Sequence, residues 1–276
     1  ALEGGLRYDH KTLDNAVVGE RTFDVTSASL GVALRPSPEW FFGLTAARSE
    51  RAPTELELFA NGPHKATQAF EVGDPNLDKE VALSIEGKAR YEAGPLRVEL
   101  GAFRINFEDY IAWLDTGLVD PVEDLPIFNF RQEDATFTGA ELTAGLQLID
   151  TADWKIGADA ALDIVRAEFD QSGDVPRIPP LSWTLGLDAA TGPFAARLEY
   201  VKTDDQDDVA TFETPTQGYE LINARLSYSP QNDERFKIIL DGRNLTDEEV
   251  REHTSFVKNL LPRPGRTVRL AISSRF

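Results

Sequence analysis

Apolar and polar side chains alternate with a period of two along almost the whole chain. In the last dozen residues Val268, Leu270, Ile272 and Phe276 share one face, while Arg269, Ala271, Ser273 and Arg275 share the other. The same alternation recurs at 2–8, 28–35, 40–48, 81–91, 96–113, 140–147, 154–163, 181–188, 194–200, 222–228 and 236–243. Period two is the pattern of a strand whose faces meet different surroundings, so twelve strands are predicted. Helical periodicity is almost absent. The connections alternate in length. Tight turns (PSPEW, EAGPL, DTADW, ATGPF, SPQNDER) take turns with long polar stretches near 50–79, 114–127, 168–179, 203–216 and 245–263.

Short turns at one end and long loops at the other are the arrangement of an outer-membrane barrel, with periplasmic turns and extracellular loops. A soluble sandwich has no reason to sort its loops by length. The polar face also carries both signs of charge in nearly every strand, as a wet lumen requires. The expected fold is therefore all-β: an antiparallel transmembrane β-barrel of about twelve strands, in contact with outer-membrane lipid. The final strand needs a neighbour, and within this chain the strand at 2–8 is the one on offer. The alternation has two flaws. Phe41 points inward. Arg104 falls where the apolar face should continue, with Phe103, Ile105 and Phe107 in the other phase, so a bulge or an exit from the membrane is expected there.

Composition narrows the partners. With 28 Lys+Arg against 47 Asp+Glu, the net charge is −19, which repels nucleic-acid phosphates. It suits a cation-attracting surface or plain solubility. Without cysteine there are no disulfides or thiolate metal sites. No apolar run is long enough for a transmembrane helix. The start ALEGGLRYDH lacks a basic and apolar leader, and methionine is missing even at position 1, which suggests a processed product, a fragment or a recombinant piece.

Four stretches then carry a resemblance: ARSERAPTELELFANGPH (47–64), FEVGDPNLDKE (70–80), FTGAELTAGL (137–146) and DGRNLTDEEVREHTSF (241–256), followed by the terminal Arg275 and Phe276. In this order they resemble the barrel of a TonB-dependent outer-membrane receptor. NGPH and HTSF…LPRPGR look most like the branch associated with zinc or other metal uptake. The resemblance implies import of a metal ion or metal chelate, of zinc or iron-siderophore type, with Zn²⁺ as cargo rather than cofactor. It also implies a plug domain, the TonB complex, and barrel assembly machinery that reads Phe276. Residues 1–276 match only the C-terminal barrel portion, so the plug and TonB box are expected to be absent. The strand count also falls short of the roughly 22 strands of a full transporter.

In that branch a histidine of the NGPH loop is a plausible ligand, and His64 is the matching position. Asn61 beside it is the expected substrate contact. Glu55 and Glu71 are the nearby carboxylates, and imidazole with carboxylate suits Zn²⁺. His253, with Glu248, Glu249 and Glu252, is a second loop cluster. The plainer alternative for each histidine is a solvated loop residue or one bonding the loop backbone. His10 has no evident partner. RAPTELELF is expected to form a short helix with Pro53 at its start and Leu56 and Phe59 on one face. The acidic run at 203–208 lacks the spacing of a calcium loop. No serine or acidic motif beside a histidine marks a catalytic triad, so no enzyme is expected. A passive closed pore, and a water-soluble or shortened engineered barrel, are the remaining alternatives. The second draws on the 9% aromatic content and on Ser274 facing outward.

Overall fold

A computed structural model describes residues 1–16, 19–230 and 236–274. Twelve long strands follow one another in a single antiparallel path. They are β1 (Leu2–Asn15), β2 (Gly19–Ser37), β3 (Trp40–Arg51), β6 (Glu80–Ala93), β7 (Leu96–Val119), β8 (Pro126–Asp150), β9 (Lys155–Phe169), β11 (Ser182–Thr191), β12 (Phe194–Thr203), β13 (Tyr219–Tyr228), β14 (Phe236–Arg243) and β15 (Thr267–Ser274). Three short strands lie off this path: β4 (Asn61–His64), β5 (Ala69–Val72) and β10 (Gly173–Asp174). The one helix among the described residues is α1 (Glu55–Phe59).

The alternation builds one continuous apolar face. Outward residues meet as cross-strand partners: Leu34↔Phe42, Phe42↔Ala89, Ala89↔Leu100, Leu100↔Leu142 and Leu142↔Leu162. Further along the sheet come Leu187↔Leu198, Leu226↔Leu240 and Leu240↔Leu270. Aromatic residues gather at the turn end of this band. Trp40 stacks on Phe42 at 5.3 Å and meets Tyr91 at 4.8 Å, and Phe194 lies 5.0 Å from Tyr228. Such a girdle belongs at a membrane–water boundary. The opposite face is polar and internally paired. Arg197 bridges Asp159, Asp188 and Glu199, while Arg225 and Arg243 both hold Asp241. Phe41, on this face, sits under the guanidinium groups of Arg35 and Arg90, at 5.0 and 5.2 Å.

The tight turns sit where the sequence places them. At EAGPL and ATGPF the turn glycine has φ of 53° and 50°, which leads proline into the next strand. Positive φ at the first turn position matches the right-handed twist of the flanking strands.

Several details differ from expectation. Most strands are longer, above all at the loop end, while β14 keeps its expected bounds. The stretch near 114–127 is a protruding β7–β8 hairpin closed by residues 120–125. Residues 114–116 are half-buried and 117–119 exposed on both faces, so the period-two contrast that marks a strand is lost. Around Arg104 there is no bulge: register runs unbroken from Leu96 to Phe107. The inward Phe107 instead packs against Tyr110 and Phe137 at 5.0 and 5.2 Å, so here the interior is aromatic and the outer face polar. The bulge comes later, between Phe107 and Tyr110, with Asp109 at φ 56°. At the edges, β15 pairs only with β14 and β1 only with β2, so the sheet is open among the described residues. Among the described residues the last strand does not pair with the strand at 2–8, the neighbour on offer within this chain. Phe276, expected to be the assembly signal, lies outside the described residues.

Candidate functional site

The segments at the loop end pack into a platform. Residues 52–80 fold back as α1 and the β4–β5 hairpin, and β5 runs parallel to β8 through Phe70↔Ile127 and Val72↔Asn129. α1 forms because Thr54 caps it: Thr54 Oγ1 accepts from Glu57 N–H, and the Glu57 carboxylate accepts from Thr54 N–H. This is a reciprocal capping box. Leu58 is its fully buried residue, packed with Leu13, Phe23, Val25, Ile111, Trp113 and Phe130. Of Leu56 and Phe59, expected on one face, Phe59 packs partly buried against this cluster and Leu56 is exposed. A five-residue helix turns only one side inward, and the hydrophobic floor lies beneath Leu58.

His64 ends β4 and is half-exposed, while Glu71 in β5 is buried. Their side chains meet, His64 Nδ1 to Glu71 Oε1, at 2.8 Å. The Thr67 hydroxyl donates to the same oxygen at 2.9 Å. A buried carboxylate that accepts from Nδ1 fixes the imidazole tautomer and leaves the Nε2 lone pair for a ligand. Glu55, in the first turn of α1, and Asn61, opening β4, are both exposed. Among the described residues no group of three or more His, Asp or Glu side chains is placed to hold a metal ion.

A second cluster joins three loops. His253 is buried: Nε2 lies 3.2 Å from Glu213 Oε1, and Nδ1 lies 2.9 Å from Thr216 Oγ1. Lys258 Nζ donates to the same Glu213 oxygen at 2.9 Å, and lies 3.3 and 3.5 Å from the two ring nitrogens of His253. Glu213 also accepts from the backbone N–H groups of Arg177 and Ala210. Burial pushes the Glu213 carboxyl up, but the hydrogen bonds from His253 and Lys258 outweigh it and hold it at about 2. Burial pulls the Lys258 ammonium below its ordinary range, and Glu213 partly offsets this. Beside the cluster, the Arg177 guanidinium covers Trp113 at 5.2 Å and Phe256 at 4.6 Å.

The sequence-predicted residues are thus brought together only in part. His64 and Glu71 meet. The carboxylates expected beside His253 turn elsewhere: Glu249 to Arg251, Glu252 to Arg263. Its acidic partner is Glu213, from a loop remote in sequence. His10 does have a partner, Asp24 Oδ1 at 2.8 Å across the β1–β2 pair, which also accepts from the Tyr8 hydroxyl.

Comparison with known proteins agrees with this architecture. The family model described as TonB dependent receptor-like, beta-barrel matches residues 1–245. Among solved structures, the chain is similar to the copper transporter OprC, with a TM-score of 0.82 and 20% identity, over 98% of this chain and 44% of that one. It is similar to the FrpB iron transporter from Neisseria meningitidis (F3-3 variant), with a TM-score of 0.73 and 17% identity over 98% and 41%. It is also similar to the unliganded ferric citrate transporter FecA, with a TM-score of 0.72 and 22% identity over 98% and 42%. At these identities the likeness is one of fold. The chain spans less than half the length of these structures.

Proposed function

Because the chain belongs to the TonB-dependent receptor-like β-barrel family of the bacterial outer membrane, we propose that it forms wall and outer mouth of an uptake receptor for a metal chelate. In this reading it is a receptor and not an enzyme. The plug domain and the TonB complex are its partners, and energised movement of the plug passes the cargo inward. The names of OprC, FrpB and FecA as copper, iron and ferric citrate transporters support a metal-bearing cargo.

The observation that carries the reading is the His64–Glu71 pair. A half-exposed imidazole, held from behind by a buried carboxylate, is a metal ligand set in position. In this role Glu71 is the orienting group and His64 the ligand, with Asn61 at the same loop edge. One imidazole is too few for a bare ion, which takes four ligands when it is zinc. It suits a metal that arrives with ligands of its own and one position to exchange.

Titration calorimetry tests this on the folded chain in detergent, with Zn²⁺ alone and with Zn²⁺ in a chelate that leaves one coordination site open. The chelate is expected to bind more tightly than the bare ion. His64→Ala should abolish the chelate heat, and Glu71→Gln should weaken binding about 10–100-fold. Unchanged binding in His64→Ala would remove the histidine from the cargo path.

A further inference from the structure

Arg104 breaks the apolar alternation of β7, and the register shows what it meets. Arg104 pairs with Thr138 in β8, and Thr138 pairs with Arg166 in β9, without interruption. The three side chains therefore occupy one outward row on three neighbouring strands. The next outward row toward the turns is Ala102, Ala140 and Ile164, and the one after is Leu100, Leu142 and Leu162. On β7, β8 and β9 the row sits one step, roughly 7 Å, beyond the apolar band on the loop side, while on β6 the apolar face continues through Ile85, which pairs with Arg104. Neighbouring strands lie about 4.8 Å apart, so the two arginines flank the threonine at about 10 Å from each other.

Both arginines are exposed. The Arg104 Nε–H donates to Asn106 Oδ1 at 3.1 Å, which leaves its terminal nitrogens free of other described partners. Arg166 has no hydrogen bond or ion pair among the described residues. No carboxylate shares the row. One step further out stand Asn106, Thr136 and Glu168. Arg166 also borders a cavity of about 500 Å³ that carries Glu168, Asp174, Asp204, Asp205 and Asp208. On that flank the carboxylates oppose an anion, so an anionic ligand is centred on Arg104 and Thr138.

We propose that Arg104, Thr138 and Arg166 form an outer-leaflet seat for the phosphate of an anionic lipid, its acyl chains running down over Ala102, Ala140 and Leu142. A guanidinium presents paired N–H donors that match phosphate oxygens, and a hydroxyl between two of them completes the cradle. Arginine in the wall of a barrel is costly at the bilayer midplane and nearly neutral at the interface, where this row lies. The polar break in the alternation thereby gains a purpose that an exit from the membrane alone does not supply. This seat is independent of the cargo reading.

Native mass spectrometry of the detergent-solubilised chain, titrated with phosphatidylglycerol, measures the seat. Wild type should retain the lipid, and phosphatidylcholine should bind more weakly. Arg104→Gln should weaken retention about fivefold and the double change with Arg166→Gln further, at about one fivefold factor for each cation removed. Arg269→Gln, on the opposite face, should leave it unchanged. Heat-modifiable gel migration reports folding of each variant. Equal retention by wild type and the double variant overturns the proposal, as does an equal loss in Arg269→Gln. Displacement of the lipid by inorganic phosphate at comparable concentration would assign the seat to free phosphate and overturn the lipid.

Discussion

Removing the charge of Glu213 should release the loops that it ties together. Its side chain is 9% exposed, and one of its oxygens receives both the Lys258 ammonium and His253 Nε2. In Glu213→Gln the ammonium stays buried without a counter-charge, and an amide offers donors where the site supplies donors already. Breaking a buried pair from one side costs about 3–5 kcal/mol. The carboxyl's depression gives an independent figure. Held at about 2 against its ordinary 4.5, it contributes roughly 3 kcal/mol. The sign follows from the direction. A depressed carboxyl stabilises fully above its unfolded value, and that contribution is lost as pH falls from about 4.5 through about 2. Hydrogen exchange of residues 204–218 and 244–266, corrected for the intrinsic pH dependence, reads this locally while the strands serve as an internal standard. Protection in both segments should fall by about two orders of magnitude in Glu213→Gln at neutral pH, and in wild type as pH drops through that window. Unchanged protection in the variant would mean that the cluster does not tie the loops.

Two smaller changes test the platform under His64. A Cβ on Gly73 would lie 2.7 Å from the backbone of Leu58 and Phe59, so Gly73→Ala should push α1 off its floor. Overpacking of this kind costs about 1–3 kcal/mol, and protease cleavage within 54–60 should accelerate accordingly, with Gly62→Ala, where the added Cβ meets nothing, as control. Thr54→Ala removes the cap and should cost about 1 kcal/mol by the same assay, whereas Thr54→Ser should retain it.

The strands were legible because each has an apolar face and a polar face, and that contrast survives in sequence as period two. Where both faces meet the same surroundings the contrast disappears. At 114–119 the chain is half-buried and then exposed, and its register with β8 shifts between Asp115 and Val119, so this end of the β7–β8 hairpin carries no period-two contrast although it is strand. α1 was visible through Pro53 and its acidic first turn, but its buried residue depended on what lay beneath it, which only the packing of β1, β2 and β7 decides. The His64–Glu71 pair was accessible because β4 and β5 are a local hairpin. Glu213 was not: it meets Lys258 across 45 residues, and no local pattern links one acidic residue of an acidic loop to a lysine in another.

Charge shows the same division between what is local and what is assembled. The net −19 reads as one acidic surface when only composition is known. In the folded sheet the net charge is unchanged, but part of the acidic charge is paired with cations within the wall, where Asp159, Asp188 and Glu199 surround Arg197 and Asp241 lies between Arg225 and Arg243. These pairs come from strands whose register is set by the apolar face behind them. The same alternation that faces lipid therefore also decides which charges cancel. Loop carboxylates escape that constraint, and Asp204, Asp205 and Asp208 gather with Asp174 at the rim with no arginine or lysine bridged to them among the described residues. The acidity that a cargo or cation meets first is thus a property of the loops, while the wall behind them presents paired charges.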